Sequence, residues 1–225
     1  PDYPILILLA PLLAGIFIGL FGTKLGPKIA RLGVAAEVLA FALSLLVLYD
    51  VTSRGALTVR ISFWQYGISP LSLHIDRLAA VMLVHIAAIS ILIHLFSVRY
   101  MQQERGYARF HSLLAFTTFV LFGMVSSGNL LMLFAFWQLL SWLVPLLSHN
   151  YQHPPTVRGA FRTFTMQRAG DVAFLGGIVL ANSFYGTLEL QRLFIRAAEA
   201  KSAIALWPGG FEIDASTAVT ALIFI

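Results

Sequence analysis

The run from Asn129 to Leu147, NLLMLFAFWQLLSWLVPLL, leaves this chain little choice of fold. A helix needs roughly 20 mostly apolar residues to cross a bilayer core, and this run is about that long. In hydrocarbon every backbone N–H and C=O must be satisfied internally, so an unbroken apolar run of this length implies a helix. Gln138 stands near its middle, beside Trp137 and one turn before Ser141 and Trp142. A polar side chain at that depth is costly without a partner, which makes Gln138 and Ser141 candidates for a functional site.

The same pattern recurs along the chain. Of 225 residues 59% are hydrophobic and 11% charged, with a mean hydropathy of +0.84. A soluble domain carries about 25% charged residues, and a globule of this size has no means of hiding so much apolar surface. The composition predicts an all-α, polytopic bundle of transmembrane helices. There is no cysteine, so disulfide frameworks, thiolate metal sites and thiol catalysis are excluded. The net charge of +5 is scattered between the hydrophobic runs. That is the pattern of loop charges that orient a membrane protein, and it argues against a nucleic-acid partner.

Six spans and the beginning of a seventh are predicted. The first runs from about Pro4 to Phe21; with no basic stretch before it and no small-residue cleavage site, it reads as a spanning helix and not a signal peptide. The second, Ile29 to Tyr49, completes an N-terminal helix pair over residues 1–50. Alternating stretches in 51–75 (LTVRIS, SPLSLHI) predict an extramembrane hairpin. Four spans fill 76–184: Asp76–Val98, Phe110–Ser126, the run of Gln138, and Ala160–Phe184. Ser127-Gly128-Asn129 is a tight turn between two of them. Residues 185–214 are mixed, with an amphipathic surface helix expected at Leu188–Ala200 that presents Leu190, Leu193, Phe194 and Ala197 on one face. The apolar run from Ala215 is still unbroken at Ile225, too short to cross, so the chain is expected to stop within a seventh span.

Loop charges predict an orientation. Lys24, Lys28 and Arg31, then Arg99, Arg105 and Arg109, then Arg158 and Arg162 fall in the odd-numbered loops. The positive-inside rule puts these in the cytoplasm and the N-terminus outside.

Polar residues inside the spans are the further candidates. Arg168 and Asp171 are three apart on one helix and so share a face, as an ion pair that orients a helix end or as an element of an ion path. Glu37 lies well inside the second span, as a protonated packing residue or as a carrier. His85 and His94, nine apart on the third span, are read as sharing roughly one face. At about 13 Å of rise they are too far apart to bind one metal, which leaves helix packing or proton relay. Neither these two nor His111 pair clearly as haem ligands, and His149 and His153 make only a weak metal pair. Asp76 and Arg77 read as an interfacial cap pair at the start of the third span. No phosphate loop, HExxH or Ser-His-Asp pattern appears, so no catalytic residues are assigned and the chain reads as a transporter subunit, not an enzyme.

Several short motifs then occur in order. An Asp-x-Leu at Asp76 is followed by Leu92-Ile93-His94, Tyr100-Met101, and the run Glu104 to Phe110, which includes Arg109. Next come Asn129-Leu130-Leu131, Trp137, AFRTFTMQRAGDVAFL, and Gly186-Thr187-Leu188. Over roughly Ser62 to Leu190 this resembles the antiporter-like membrane subunits of respiratory complex I and Mrp antiporters (NuoL and MrpA). The resemblance implies inverted repeats, discontinuous helices and a central polar axis, with buried lysines beyond Ile225. It implies interfacial or structural roles for Asp76, Arg77, Glu104, Arg109 and Asn129. The ion-path candidates are the polar residues within the spans, Gln138, Ser141, Arg168, Asp171, Glu37 and His94. At Gln138 the chain departs from the family, which typically has glutamate after this Trp. The segment FWQLLSWLVPLLSHNY is most similar to DabB, the membrane subunit of two-component inorganic-carbon accumulation systems. That likeness implies a cation-conducting subunit, for H+ or Na+, in a bacterial inner membrane. It further implies no cofactor in this chain, and a DabA-like partner whose zinc site is similar to a β-carbonic anhydrase. The alternatives are a proton-translocating subunit of a redox complex and an Mrp-type antiporter subunit.

Overall fold

Apolar runs of roughly 20 residues satisfy their backbone in lipid as helices, being about twice the length of a barrel strand. A computed structural model describes residues 3–61, 71–102, 106–148, 154–199, 203–205 and 212–224. It places the runs in α1 (Tyr3–Leu25), α2 (Ala30–Arg54), α3 (Arg77–Tyr100), α4 (Tyr107–Val125) and α5 (Leu130–Ser148), with a 3₁₀ turn (Gly26–Ile29) between the first two. All five are long and apolar enough to cross a membrane. The more polar α6 (Pro154–Tyr185) begins at its proline pair, well before the expected Ala160. Proline suits a first helical turn, whose N–H groups lack helical partners in any case.

α1 packs against α2 and α4, α2 against α3, and α3 against α4. Ile7, Val47, Val51, Leu83 and Phe122 are fully buried in this four-helix layer. Its helices are joined by side-chain bonds as well: Tyr3 donates to Asp50, and Ser112 Oγ donates to Gly15 O at 2.7 Å. Leu20, Leu46, Leu78, Leu92 and Phe96 point outward and are exposed. An apolar outer surface of that extent suits lipid and not water; this is a multi-pass membrane protein.

The two ends of the bundle differ. One end is a belt of extended chain. β1 (Leu57–Ile61) and β2 (Leu71–Ile75) pair antiparallel, with Leu57 opposite Ile75 and Val59 opposite Leu73. The turn before α5 continues the pairing: His74 N donates to Ser126 O at 2.8 Å and Gly128 N to Ser72 O at 2.7 Å. Beyond it, Leu130 N donates to Leu188 O and Leu190 N to Gly128 O. A second small hairpin, β3 (Ala203–Ala205) with β4 (Glu212–Asp214), precedes α8 (Ala215–Phe224).

The surface helix α7 spans Leu190–Glu199. Leu193 is buried, and Leu190 and Ala197 pack around the same cluster as Phe174, Ile178 and Val219. Phe194 is not on that face: it is 67% exposed. At 100° per residue it falls on the edge of the stripe set by its three neighbours.

Candidate functional site

Helices α5 and α6 converge on one polar network. Arg168 and Asp171 lie three apart on α6, on one face, and pair at 2.7 Å between Nη2 and Oδ2. Arg168 Nη1 donates to Gln138 Oε1 at 2.8 Å, and its Nη2 also donates to Ser141 Oγ. Ser141 in turn donates to Gln167 Oε1 at 3.2 Å. Asp171 is fixed from the other side by the indole of Trp137, whose Nε1 donates to Oδ1 at 2.8 Å. The guanidinium also lies 4.6 Å from the Phe164 ring centroid and 5.7 Å from that of Trp142, within cation–π range.

Chemically this arrangement is a fixed charge whose two Nη groups meet acceptors while its Nε has none among the described residues. Arginine does not deprotonate in proteins, and Gln138 and Ser141 are neutral hydrogen-bonding groups. Only Asp171 among the four could take up a proton, and doing so would break the ion pair. With glutamine at 138 the one arginine is balanced by one carboxylate. A glutamate there would leave the group one negative charge in excess. The network sets a local field and holds α5 to α6.

The other predicted positions divide by where the helices carry them. Asp76 is the N-cap of α3, accepting from Ala79 N at 2.7 Å, with Arg77 exposed beside it. Asn129 caps α5, its Oδ1 accepting from Met132 N at 2.6 Å. Arg109 is half-buried on the first turn of α4. Glu104, His149 and His153 lie outside the described residues. His85 and His94 do not share a face: His85 is exposed, His94 fully buried. Nine residues are two and a half turns, which places two side chains on opposite sides of a helix. Glu37 and His94 are not part of the α5–α6 network. They meet each other inside the α1–α4 layer, 3.9 Å apart, together with His111. His111 escaped the sequence reading as a site because its only signal was a polar side chain near the start of an apolar run. Among the described residues no group of three or more metal-ligating side chains could share an ion.

Two family descriptions match this chain. Residues 67–111 match the N-terminus of chain 5 of NADH–ubiquinone oxidoreductase (complex I), and residues 127–221 match the transmembrane region of NADH:quinone oxidoreductases and Mrp antiporters. The chain belongs to the antiporter-like membrane subunits. Among relatives, a probable inorganic carbon transporter subunit of Halothiobacillus neapolitanus, DabB1, is 33% identical over 221 residues, covering 98% of this chain and 38% of that protein. NADH-quinone oxidoreductase subunit L of Neisseria meningitidis serogroup B is 30% identical over 234 residues, covering 98% of this chain and 34% of its own length. The chain thus spans little more than a third of these relatives. Among solved structures, a chain of the archaeal membrane-bound sulfane sulfur reductase superposes with a TM-score of 0.82 at 20% identity, over 99% of this chain and 43% of that one. A chain of the Mrp complex of Dietzia gives 0.78 at 17% identity, over 97% of this chain and 22% of that one. The fold is that of the antiporter-like subunits.

Proposed function

We propose that this chain is part of a proton-conducting membrane subunit that energises inorganic-carbon uptake together with a zinc-bearing, carbonic-anhydrase-like partner. The observation that carries this reading is the neutral residue at 138, hydrogen-bonded to Arg168 where the family resemblance has a glutamate. A glutamine does not ionise, so the α5–α6 network lacks the extra carboxylate that a redox-driven relative would pair with a buried lysine. The likeness to DabB1 over 98% of the chain supports the same direction. In this scheme Arg168 and Asp171 shape the field through which a cation moves, and Gln138 and Ser141 orient the guanidinium.

The competing reading is a subunit of a redox complex, favoured by the likeness to NADH-quinone oxidoreductase subunit L. Purification of the full-length protein in mild detergent separates the two. A co-purifying soluble subunit that contains zinc supports the carbon pump. Flavin and iron–sulfur subunits in its place would overturn it in favour of the redox complex.

A further inference from the structure

A second group of buried titratable side chains lies away from α5 and α6. Glu37 on α2, His94 on α3 and His111 on α4 are each fully buried in the α1–α4 layer. His94 Nδ1 donates to Ser90 O at 2.9 Å, which leaves the lone pair of Nε2 directed across the helix interface. That nitrogen faces Glu37 Oε1 at 3.9 Å. Gly33, one turn before Glu37, makes room for the ring: a Cβ there would come within 3.1 Å of His94 Cδ2 and 3.5 Å of Nε2. The hydroxyls of Ser90 and Thr118, 2.7 Å from each other, lie beside the carboxyl, but neither Glu37 oxygen makes a well-aligned hydrogen bond. The His111 ring centroid is 6.4 Å from that of His94; the Ser97 backbone lies within reach of the ring, but neither nitrogen makes a well-aligned hydrogen bond.

Buried polar atoms without a well-aligned partner are costly and call for an explanation. A separation of 3.9 Å between an acid and a base is also the span a single water or a small side-chain shift closes. We propose that Glu37, His94 and His111 form a proton-exchange site, distinct from the Arg168 network and loaded from the end of the bundle that carries the basic loops.

The depths of the three residues give the direction. By helix rise His111 lies about 6 Å below the start of α4, His94 about 9 Å from the end of α3, and Glu37 about 10 Å below the start of α2. All three are measured from the end bearing Lys24, Lys28, Arg31, Arg99 and Arg109. The site takes up one proton, which converts the Glu37 carboxylate to the acid or the His94 imidazole to imidazolium; release reverses it, and no other bond changes. His111, nearest the end, is the outer member. Few other charges bear on the site. α1 has no titratable side chain between Tyr3 and Lys24. α4 adds Tyr107, whose ring is 4.5 Å from His111, and α2 adds Arg31, within electrostatic reach of Tyr107.

The test is infrared difference spectroscopy of the full-length protein in lipid nanodiscs, titrated over roughly pH 4 to 8, where carboxyl and imidazole groups change state. It reads proton binding by this chain and does not depend on the carbon-pump reading. We expect a protonated-carboxyl band that is lost in Glu37→Gln, shifted in His94→Gln and kept in Asp171→Asn. In His111→Phe the band should persist but respond more slowly to a pH jump. A band that survives in Glu37→Gln, or one indifferent to His94→Gln, overturns the proposal. Because the two substitutions are read separately, loss of folding in one leaves the other decisive.

Discussion

Arg168 carries a permanent charge on a side chain only one-third exposed, and its surroundings answer that charge with acceptors from two helices. Removing one acceptor therefore matters more than its size suggests. Gln138→Leu leaves Nη1 without a partner at a cost of about 1–3 kcal/mol, and should lower cation flux in proteoliposomes; unchanged flux would make Gln138 a packing residue. If the ion pair serves structure, Arg168→Ala and Asp171→Ala should each destabilise the protein more than the double substitution does, because each leaves one charge unpaired. Thermal unfolding of the three variants measures this, with an expected excess of about 1 kcal/mol, since Arg168 is one-third exposed. The pairing within α6 was legible in the sequence because spacing of three fixes a shared face. The bond from Arg168 to Gln138 was not. Thirty residues separate them, and only the docking of α6 on α5 creates the contact. The meeting of Glu37 with His94 was hidden for the same reason, and the nine-residue spacing on α3 pointed the wrong way.

Two helices begin where a side chain answers the open backbone of the first turn, and α6 begins at a proline pair. Asn129 does this for α5 and Asp76 for α3. Asn129→Ala should cost about 1 kcal/mol, visible as a lower unfolding temperature. Between α4 and α5 the controlling contact is steric. A Cβ on Gly123 would fall 2.2 Å from Phe136 Cζ, so the ring lies directly on the α4 backbone. Gly123→Ala should separate the two helices and cost about 1–3 kcal/mol, with Phe136→Leu restoring part of the loss by vacating the space. Helix existence was plain from the apolar runs, since runs of roughly 20 residues suit a spanning helix and exceed the roughly 9–11 of a barrel strand. Helix ends were less so. The start of α6 at Pro154 lay under a polar, proline-bearing stretch that reads as loop, and Phe194 falls on the edge of the apolar stripe of α7, where it is exposed.

At the scale of the molecule, the two ends of the bundle are chemically unlike. One end gathers the basic turns between α1 and α2 and between α3 and α4. The other is closed by a backbone-paired belt that ties β2, the turn before α5 and the start of α7 together. Belt and basic turns cannot both face the cytoplasm in an up-and-down bundle. The positive-inside rule assigns the basic end to the cytoplasm, because lysine and arginine resist translocation. The proton-exchange site would then open inward and the belt outward. This stretch contains no cysteine, so in a full-length protein freed of any other cysteine, single cysteines report on this directly. Lys28→Cys sits on an exposed basic turn and Gln191→Cys on the exposed side of α7. In intact cells a membrane-impermeant maleimide should label Gln191→Cys and spare Lys28→Cys, with both labelled after the membrane is opened. Labelling of Lys28→Cys alone in intact cells would invert the topology, and with it the side from which Glu37, His94 and His111 receive their proton.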